Sequence, residues 1–391
     1  MDMLNINLNM DDSLKKIISE GLASLSSIFN SSNSSGTALG VDIGSSSIKV
    51  VQLKKKNGKA VLETYGVISL GPYGNTDVGA ITSLKTEDIS RALIDVMKES
   101  NVTTKSAVVA IPSLSSLIFT LSLPGNIEES QLPKIIPIEA RKYIPVPIAE
   151  VALDWFVIPQ EAEFIENNGV STTPNTNIVK PPTEVLVIAI HNDTLSQYQD
   201  ILKKTELKSD SFEMEIFSNI RSSFNHELAS VMLVDFGASK TKVSIVEAGV
   251  VRVFHVVNRG SQDISRNISQ SLSIPFAEAE KLKRSVGLDA KIDERVEKIA
   301  RLSVNYILTD INSIVFAYEK KYNKNISKVF LVGGGSLLKG LLEVAKQNFQ
   351  AEVVYSNPFS KTEAPAFLEP ILENSGPEFA VAVGLALRQL S

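Results

Sequence analysis

The chain is predicted to be an α/β protein of two duplicated lobes that face each other across a cleft, with one further module inserted. Three observations predict this. Residues 41–53 read VDIGSSSIKVVQL and residues 234–246 read VDFGASKTKVSIV. Aligned without a gap, six of the thirteen positions agree: Val41/Val234, Asp42/Asp235, Gly44/Gly237, Ser46/Ser239, Lys49/Lys242 and Val50/Val243. A later segment, 328–340, runs KVFLV into Gly333-Gly334-Gly335 and then into a helix-like stretch. Between these landmarks, segments of period two alternate with segments of helical period, the signature of layered α/β architecture.

Composition bounds the rest. A chain of 391 residues is long enough for two or three domains, and 43% apolar with 21% charged residues is an ordinary globular balance. The net charge of −5 gives no electrostatic case for nucleic acid. With no cysteine, disulfides, thiolate metal sites and cysteine nucleophiles are excluded. The three histidines, His191, His226 and His255, are too scattered for a histidine metal centre. No apolar run approaches the ~20 residues of a spanning helix. The start of the chain lacks the basic-then-apolar layout of a secretion signal.

Residues 13–29 place Leu14, Ile17, Ile18, Leu22, Leu25, Ile28 and Phe29 on one helical face, and a Ser-rich linker closes this segment, 1–36. Such a tethered helix docks on its own body, on a protein partner or on a membrane surface. The first lobe (37–104) is expected to hold strands 38–43, 47–54 and 59–70, with Asn57-Gly58 as a hairpin turn, and helix 86–100. Residues 105–208 read as the inserted module: strands 106–111, 116–123, 151–158 and 184–190, a Pro-interrupted helix before EARKYIP, and helix 193–205. Pro137 is expected to kink or restart the first of these helices. The stretch 159–182 is polar and rich in Pro, Asn and Thr. Helix 215–228 returns the chain to the first lobe (209–229). The second lobe (230–391) follows, with strands 231–236, 242–247 and 250–257, a helical subdomain over 262–327, strand 328–332, helix 337–349 and helix 378–389.

The repeated element is a strand ending in aspartate, a glycine turn with small hydroxylated residues, and a returning strand. Gly44 is expected to supply the positive φ of a tight turn, and the backbone of Ser45, Ser46 and Ser47 to surround an anion. Gly237, Ala238, Ser239, Lys240 and Thr241 repeat the logic. Two such turns facing each other would clamp a phosphate chain, with Asp42 and Asp235 holding Mg²⁺ through its waters. Lys49 and Lys242 lie on the outgoing strands; each either meets phosphate or is a solvated strand lysine, and Lys240, inside its loop, is better placed. Gly333, Gly334 and Gly335 leave room for a purine or ribose against the backbone, with a helix N-terminus beyond them to favour phosphate. No Walker A or G-x-G-x-x-G pattern occurs.

This order of parts resembles the actin-like ATP-binding fold shared by actin, sugar kinases, MreB and FtsA. GVDIGSSSIKVVQL, AVVAIP (107–112), EARKYIP (139–145), VALDWFVI (151–158), EVLVIAI (184–190), EAEKLKRSVG (278–287), VFLVGGGSLLKGL (329–341) and FAVAVGLALR (379–388) are similar to the PilM family of type IV pilus assembly proteins. The resemblance implies a two-lobed ATPase fold with an FtsA-type (SHS2-like) inserted subdomain, and ATP with Mg as cofactors. It implies a cytoplasmic protein, peripheral at the inner membrane, that binds the cytoplasmic tail of a PilN-type membrane protein and couples to pilus motor components, with self-association a further option. Partner binding would use the groove between the inserted module and the first lobe, with Glu139–Pro145 nearby; plain packing is the other reading of those residues. Glu280 and Lys283 match an E-x-x-K pattern that reaches the ribose and adenine; an intrahelical ion pair is the alternative. Glu215 stands where relatives hold a water-positioning group, or else it serves the helix dipole. At most a slow ATPase is implied. The segment Asn5-Ile6-Asn7-Leu8-Asn9 resembles the core of the partner's tail motif, which suggests occupation of the groove in cis. An FtsA-like division filament protein and a small-molecule kinase of the same fold are the alternative functions.

Overall fold

The computed structural model describes residues 36–158, 182–209, 211–225 and 229–390. The helix expected at 13–29 and the Asn5–Asn9 segment lie outside the described residues. Two compact units result: one over 116–192, the other built from the chain before and after it.

The larger unit opens with β1 (Thr37–Ile43), β2 (Ser47–Lys56), β3 (Lys59–Ser69), α1 (Thr86–Glu99) and β4 (Ala107–Ile111). The chain then builds the smaller unit from β5 (Ser116–Leu123), α2 (Leu132–Ala140), β6 (Val151–Ile158) and β7 (Thr183–His191). It returns through α3 (Asn192–Lys204), β8 (Phe212–Met214) and α4 (Glu215–Ser223). There follow β9 (Val231–Phe236), β10 (Thr241–Glu247), β11 (Val250–Val257), α5 (Ser261–Leu272), α6 (Phe276–Val286) and α7 (Glu294–Tyr322). The chain closes with β12 (Lys328–Val332), α8 (Leu341–Asn348), β13 (Glu352–Tyr355), α9 (Glu369–Ser375) and α10 (Ala380–Leu390).

The duplication is one of topology as well as sequence. The first sheet runs β3-β2-β1-β4-β8 and the second β11-β10-β9-β12-β13. In both, a three-strand antiparallel meander carries two parallel strands on the side of its first member. Asn57 and Gly58 take φ of 52° and 77°, both left-handed, as a type I′ hairpin turn requires. Apolar residues of β9 and β10 (Val234, Val243, Ile245) pack against Ile264 and Ile268 of α5 and Val296, Ala300, Ile307 and Ile311 of α7. The Asp293 carboxylate starts that 29-residue helix by accepting from the backbone N–H groups of Arg295 and Val296, at 2.9 and 3.2 Å.

Several boundaries differ from the sequence reading. Strand β4, expected in the inserted module, pairs in parallel with β1 and β8 in the first sheet. All five of its residues are buried, and a strand covered on both faces carries no mark of which sheet it joins. Helix α3 also belongs to the larger unit. The smaller unit is a three-stranded antiparallel sheet, β5-β7-β6, with α2 packed on one face through Leu132, Ile136 and Ala140. Helix α2 runs through Pro137 rather than restarting there. The C-terminal helix α10, read as second lobe, packs its Ala382, Val383 and Ala386 with Ala38, Val51 and Leu53 of the first sheet. Gly40 permits this contact, since a Cβ there would lie 1.9 Å from the Ala382 carbonyl oxygen. The long helix expected over 337–349 is a 3₁₀ turn at Gly334–Leu337 followed by α8.

Among the described residues, no helix is long and apolar enough to cross a membrane.

Candidate functional site

The repeated spacing between aspartate and lysine has a structural cause. Across the β1–β2 hairpin Asp42 stands opposite Lys49, and across β9–β10 Asp235 stands opposite Lys242. Opposed residues on antiparallel strands point to the same face, so each hairpin presents a carboxylate beside an ammonium. Lys49 Nζ lies 4.0 Å from Asp42 Oδ2 and donates to Ser47 Oγ at 3.0 Å. Lys242 Nζ lies 3.3 Å from Asp235 Oδ2 and 2.7 Å from Glu215 Oε1. Neither lysine is solvated: Lys49 is 8% exposed and the Lys242 side chain 14%. The second contact joins the lobes, because Glu215 opens α4, directly after β8 of the first sheet, while Lys242 sits on β10 of the second. Glu215 Oε1 also accepts the Ser113 backbone N–H at 2.7 Å.

The two glycine turns meet. Ser45 Oγ donates to Ser239 Oγ at 3.3 Å across the lobes. Neither Gly44 nor Gly237 has a positive φ, contrary to expectation. Space explains them instead. Each N–H donates to a carbonyl three residues on (Ser47 at 3.0 Å, Lys240 at 3.1 Å), and a Cβ would crowd that oxygen at 3.1 and 2.7 Å. The Ser45 and Ser46 carbonyls accept from Thr82 and Leu70, so the first turn is held from behind. Gly237 and Ala238 accept from the Ser261 and Gln262 N–H groups, which sets the N-terminus of α5 behind the second. Lys240 is half-buried in its turn. Thr241 is fully buried and donates its hydroxyl to the Arg259 carbonyl at 2.9 Å, so it braces the loop.

The remaining candidates converge on the same place. Gly333 has φ +84° and ψ 158°, a region almost confined to glycine, and a Cβ there would sit 2.4 Å from Asp235 Oδ1. A Cβ at Gly335 would strike the Phe236 ring at 2.5 Å. Two of the three glycines thus serve packing against the second turn, whereas at Gly334 a Cβ would fit, meeting only the Glu378 side chain at 3.8 Å. Lys283 bonds Glu280 at 2.7 Å and the Ser261 carbonyl at 3.3 Å. Glu280 also accepts from Ser265 at 2.6 Å and Arg284 at 2.8 Å. The intrahelical pair is therefore present, yet it is buried rather than exposed. Sequence reasoning missed its neighbour Gly79, of the first lobe, where a Cβ would fall 2.8 Å from Glu280 Cδ. The signal was the glycine-rich loop 71–79, which carried no motif of its own.

Burial raises the Asp42 carboxyl to about 6, helped by nearby Glu215 and Asp235 and opposed by Lys49 and Lys242. Burial alone would depress the Lys242 ammonium, but Asp235, Glu215 and Asp42 outweigh it and hold the group above its usual value. Such a site does not fit Mg²⁺ well. Magnesium wants an octahedron of oxygen atoms, and here each carboxylate already faces a buried ammonium. Among the described residues no group of three or more acidic or histidine side chains is arranged to hold a metal.

In the smaller unit, Glu139 and Lys142 form an exposed pair at 2.6 Å, Ile138 and Tyr143 are well exposed, and Ile144 is in the core. Tyr143 stacks on Phe119 with ring centres 5.2 Å apart.

Comparison with known proteins agrees on one fold. A family model described as Type IV pilus assembly protein PilM matches residues 40–390. The cell division protein FtsA of Neisseria meningitidis serogroup B is 23% identical over 313 residues, covering 74% of this chain and 73% of that protein. FtsA of Streptococcus pneumoniae serotype 2 is 21% identical over 348 residues, covering 81% and 75%. The solved PilM–PilN type IV pilus biogenesis complex holds a chain similar to this one at a TM-score of 0.74 and 21% identity, covering 90% of this chain and 98% of that one. The ethanolamine utilization protein EutJ from Carboxydothermus hydrogenoformans follows at 0.51 and 14%, covering 96% and 99%. The fold is the actin-like ATPase fold.

Proposed function

The chain belongs to the PilM family of type IV pilus assembly proteins, and on that premise we propose that it is an ATP-binding assembly protein linking a PilN-type inner-membrane protein to the pilus motor. The observation that supports this most is the meeting of the two glycine turns at Ser45 and Ser239. A triphosphate laid across that point would face the turn backbones at 45–47 and 238–240 and the ammoniums of Lys49 and Lys242. The ribose and base would extend toward Gly334, Glu280 and Lys283.

Glu215, at the lobe junction, is assigned the orientation of water at the end of the phosphate chain. Its Oε1 is already engaged by Ser113 and Lys242, so turnover is expected to be slow and scaffolding the primary duty. Because each wall supplies part of the site, ATP favours the lobe separation it fits, and an equilibrium between separations is shifted only by that difference in affinity.

The partner in this reading is the cytoplasmic tail of a PilN-type protein, the counterpart of PilM in the solved complex, which would hold the chain at the membrane. Ile138 and Tyr143 supply exposed apolar surface for it beside the Glu139–Lys142 pair. A pull-down with the tail peptide, with and without ATP, tests this on wild type and Asp42→Ala. Capture that depends on ATP and is lost in the variant supports it; no capture in any condition overturns it. Filaments on lipid with ATP, without tail capture, would instead favour the division-protein reading that the FtsA relatives motivate.

A further inference from the structure

One segment of the first lobe reaches the second without being part of either repeated turn. The chain between β3 and α1 is held at both ends by the first glycine turn: the Leu70 N–H donates to the Ser46 carbonyl at 2.9 Å and the Thr82 N–H to the Ser45 carbonyl at 3.0 Å. Between those anchors the loop is braced on itself. A 3₁₀ turn spans Gly71–Gly74, the Thr76 N–H donates back to the Gly71 carbonyl at 2.9 Å, and the Ala80 N–H to the Asp77 carbonyl at 3.1 Å. The Tyr73 hydroxyl ties it to α1 by donating to the Asp95 carboxylate at 2.5 Å. Gly79, with φ +86°, lies so close to the second lobe that a Cβ there would fall 2.8 Å from both Cδ and Oε1 of Glu280. Glu280 cannot swing aside freely, since it is buried and gripped by Lys283, Ser265 and Arg284. A loop with this many internal bonds moves with the first lobe as a rigid part of it.

We propose that loop 70–82 is a third binding element of the cleft, a finger of the first lobe that comes down on Glu280 when the lobes close and keeps the sugar end of a bound nucleotide from leaving until they part. This rests on the nucleotide reading of the cleft. The base of the finger is fixed to the carbonyls of Ser45 and Ser46, in the turn whose N–H groups that reading gives to phosphate. One movement of the lobe therefore carries the phosphate turn and the finger together. Glycine is needed at position 79 for two reasons: a side chain would press on Glu280, and a φ of +86° strains any other residue. Nucleotide enters while the lobes are apart, before the finger meets Glu280, so the contact governs release rather than capture.

Surface plasmon resonance, with the full chain immobilised and ATP in solution, separates the two rates. In Gly79→Ala the added methyl keeps the finger from seating, and release is expected to quicken about tenfold or more while capture stays within about threefold of wild type. Tyr73→Phe removes the bond to Asp95, loosens the finger at its brace and is expected to quicken release about threefold. A folded Gly79→Ala chain that releases ATP within about twofold of the wild-type rate overturns the proposal. Should that variant not fold, hydrogen exchange on wild type decides: saturating ATP is expected to slow the amides of 77–82 together with those of 279–284, and protection of the glycine turns with 77–82 unchanged overturns it. Wild type that captures no ATP, with a normal melting transition, removes the nucleotide reading itself and the role of the finger with it.

Discussion

Asp42 shows how far single residues could be understood from sequence. Its pairing with Asp235 was visible in the repeat, as were the glycines. What was not visible was register: a lysine seven places after an aspartate reads as one more strand residue until the hairpin sets it opposite. That is why the sequence leaves Lys242 open between a phosphate contact and a solvated strand position; Gly44, for its part, does not make the left-handed turn expected of it. The charge pattern has a measurable consequence. Burial pushes the Asp42 carboxyl up to about 6 in the fold, above the ordinary 3.8 of an aspartate, because it disfavours the ionised form. Between those values the native state holds a proton that the unfolded chain has released. Stability therefore falls as pH rises through that window, by on the order of 3 kcal/mol. Asp42→Asn removes this dependence. Lys49 loses its counter-charge in the variant, which displaces the whole curve without changing its slope there. Urea midpoints of the two proteins should separate progressively between about pH 4 and pH 6 and run parallel above; curves parallel throughout would refute the assignment.

Elements were legible where their pattern was local and were misplaced where pairing was distant. The I′ turn at Asn57-Gly58, the capped helix α7 and the three-strand meanders follow from neighbours in sequence. The partners of β4, α3 and α10 are set by burial against remote segments, so their apolar character announced a core without saying which. Helix α10 is the instructive case. It lies on β1 through Gly40 and meets α4 through Gly384, where a Cβ would fall 2.0 Å from the Ser218 carbonyl oxygen. The contact is backbone against backbone, with no flexible side chain to yield. Helix α4 also carries Glu215 into the cleft, and Arg221 on the same helix is clamped by Glu213 at 2.6 Å and by the Gly384 carbonyl at 3.1 Å. Gly384→Ala should therefore cost about 1–3 kcal/mol from forced separation, more than offsetting the helix propensity gained. Equilibrium denaturation should show that loss, together with weakened nucleotide binding; a variant as stable as wild type would mean the helices separate freely.

At the scale of the whole molecule, the duplicated sheets matter because a ligand between them must touch both to hold them. Among the described residues, polar contacts between the lobes of the larger unit include Ser45 with Ser239, Lys242 with Glu215 and Ser356 with Ser223, beside the approach of Gly79 to Glu280 and the packing of Phe224 on Phe330. Such contacts orient the lobes without fusing them, since hydrogen bonds and ion pairs contribute little net free energy each where water can replace them. A nucleotide that binds only the closed arrangement adds a term that grows with its concentration, about 2.7 kcal/mol at a hundred times the dissociation constant. That term acts on every opening motion that breaks the site, whichever lobe moves. Hydrogen exchange with saturating ATP should accordingly slow amides in both hairpins together, 41–50 and 234–243, along with 333–337, although these segments are distant in sequence. Protection confined to one hairpin would mean that the nucleotide is held by a single wall, and the cleft would then have no means of reporting its occupancy to a partner through closure.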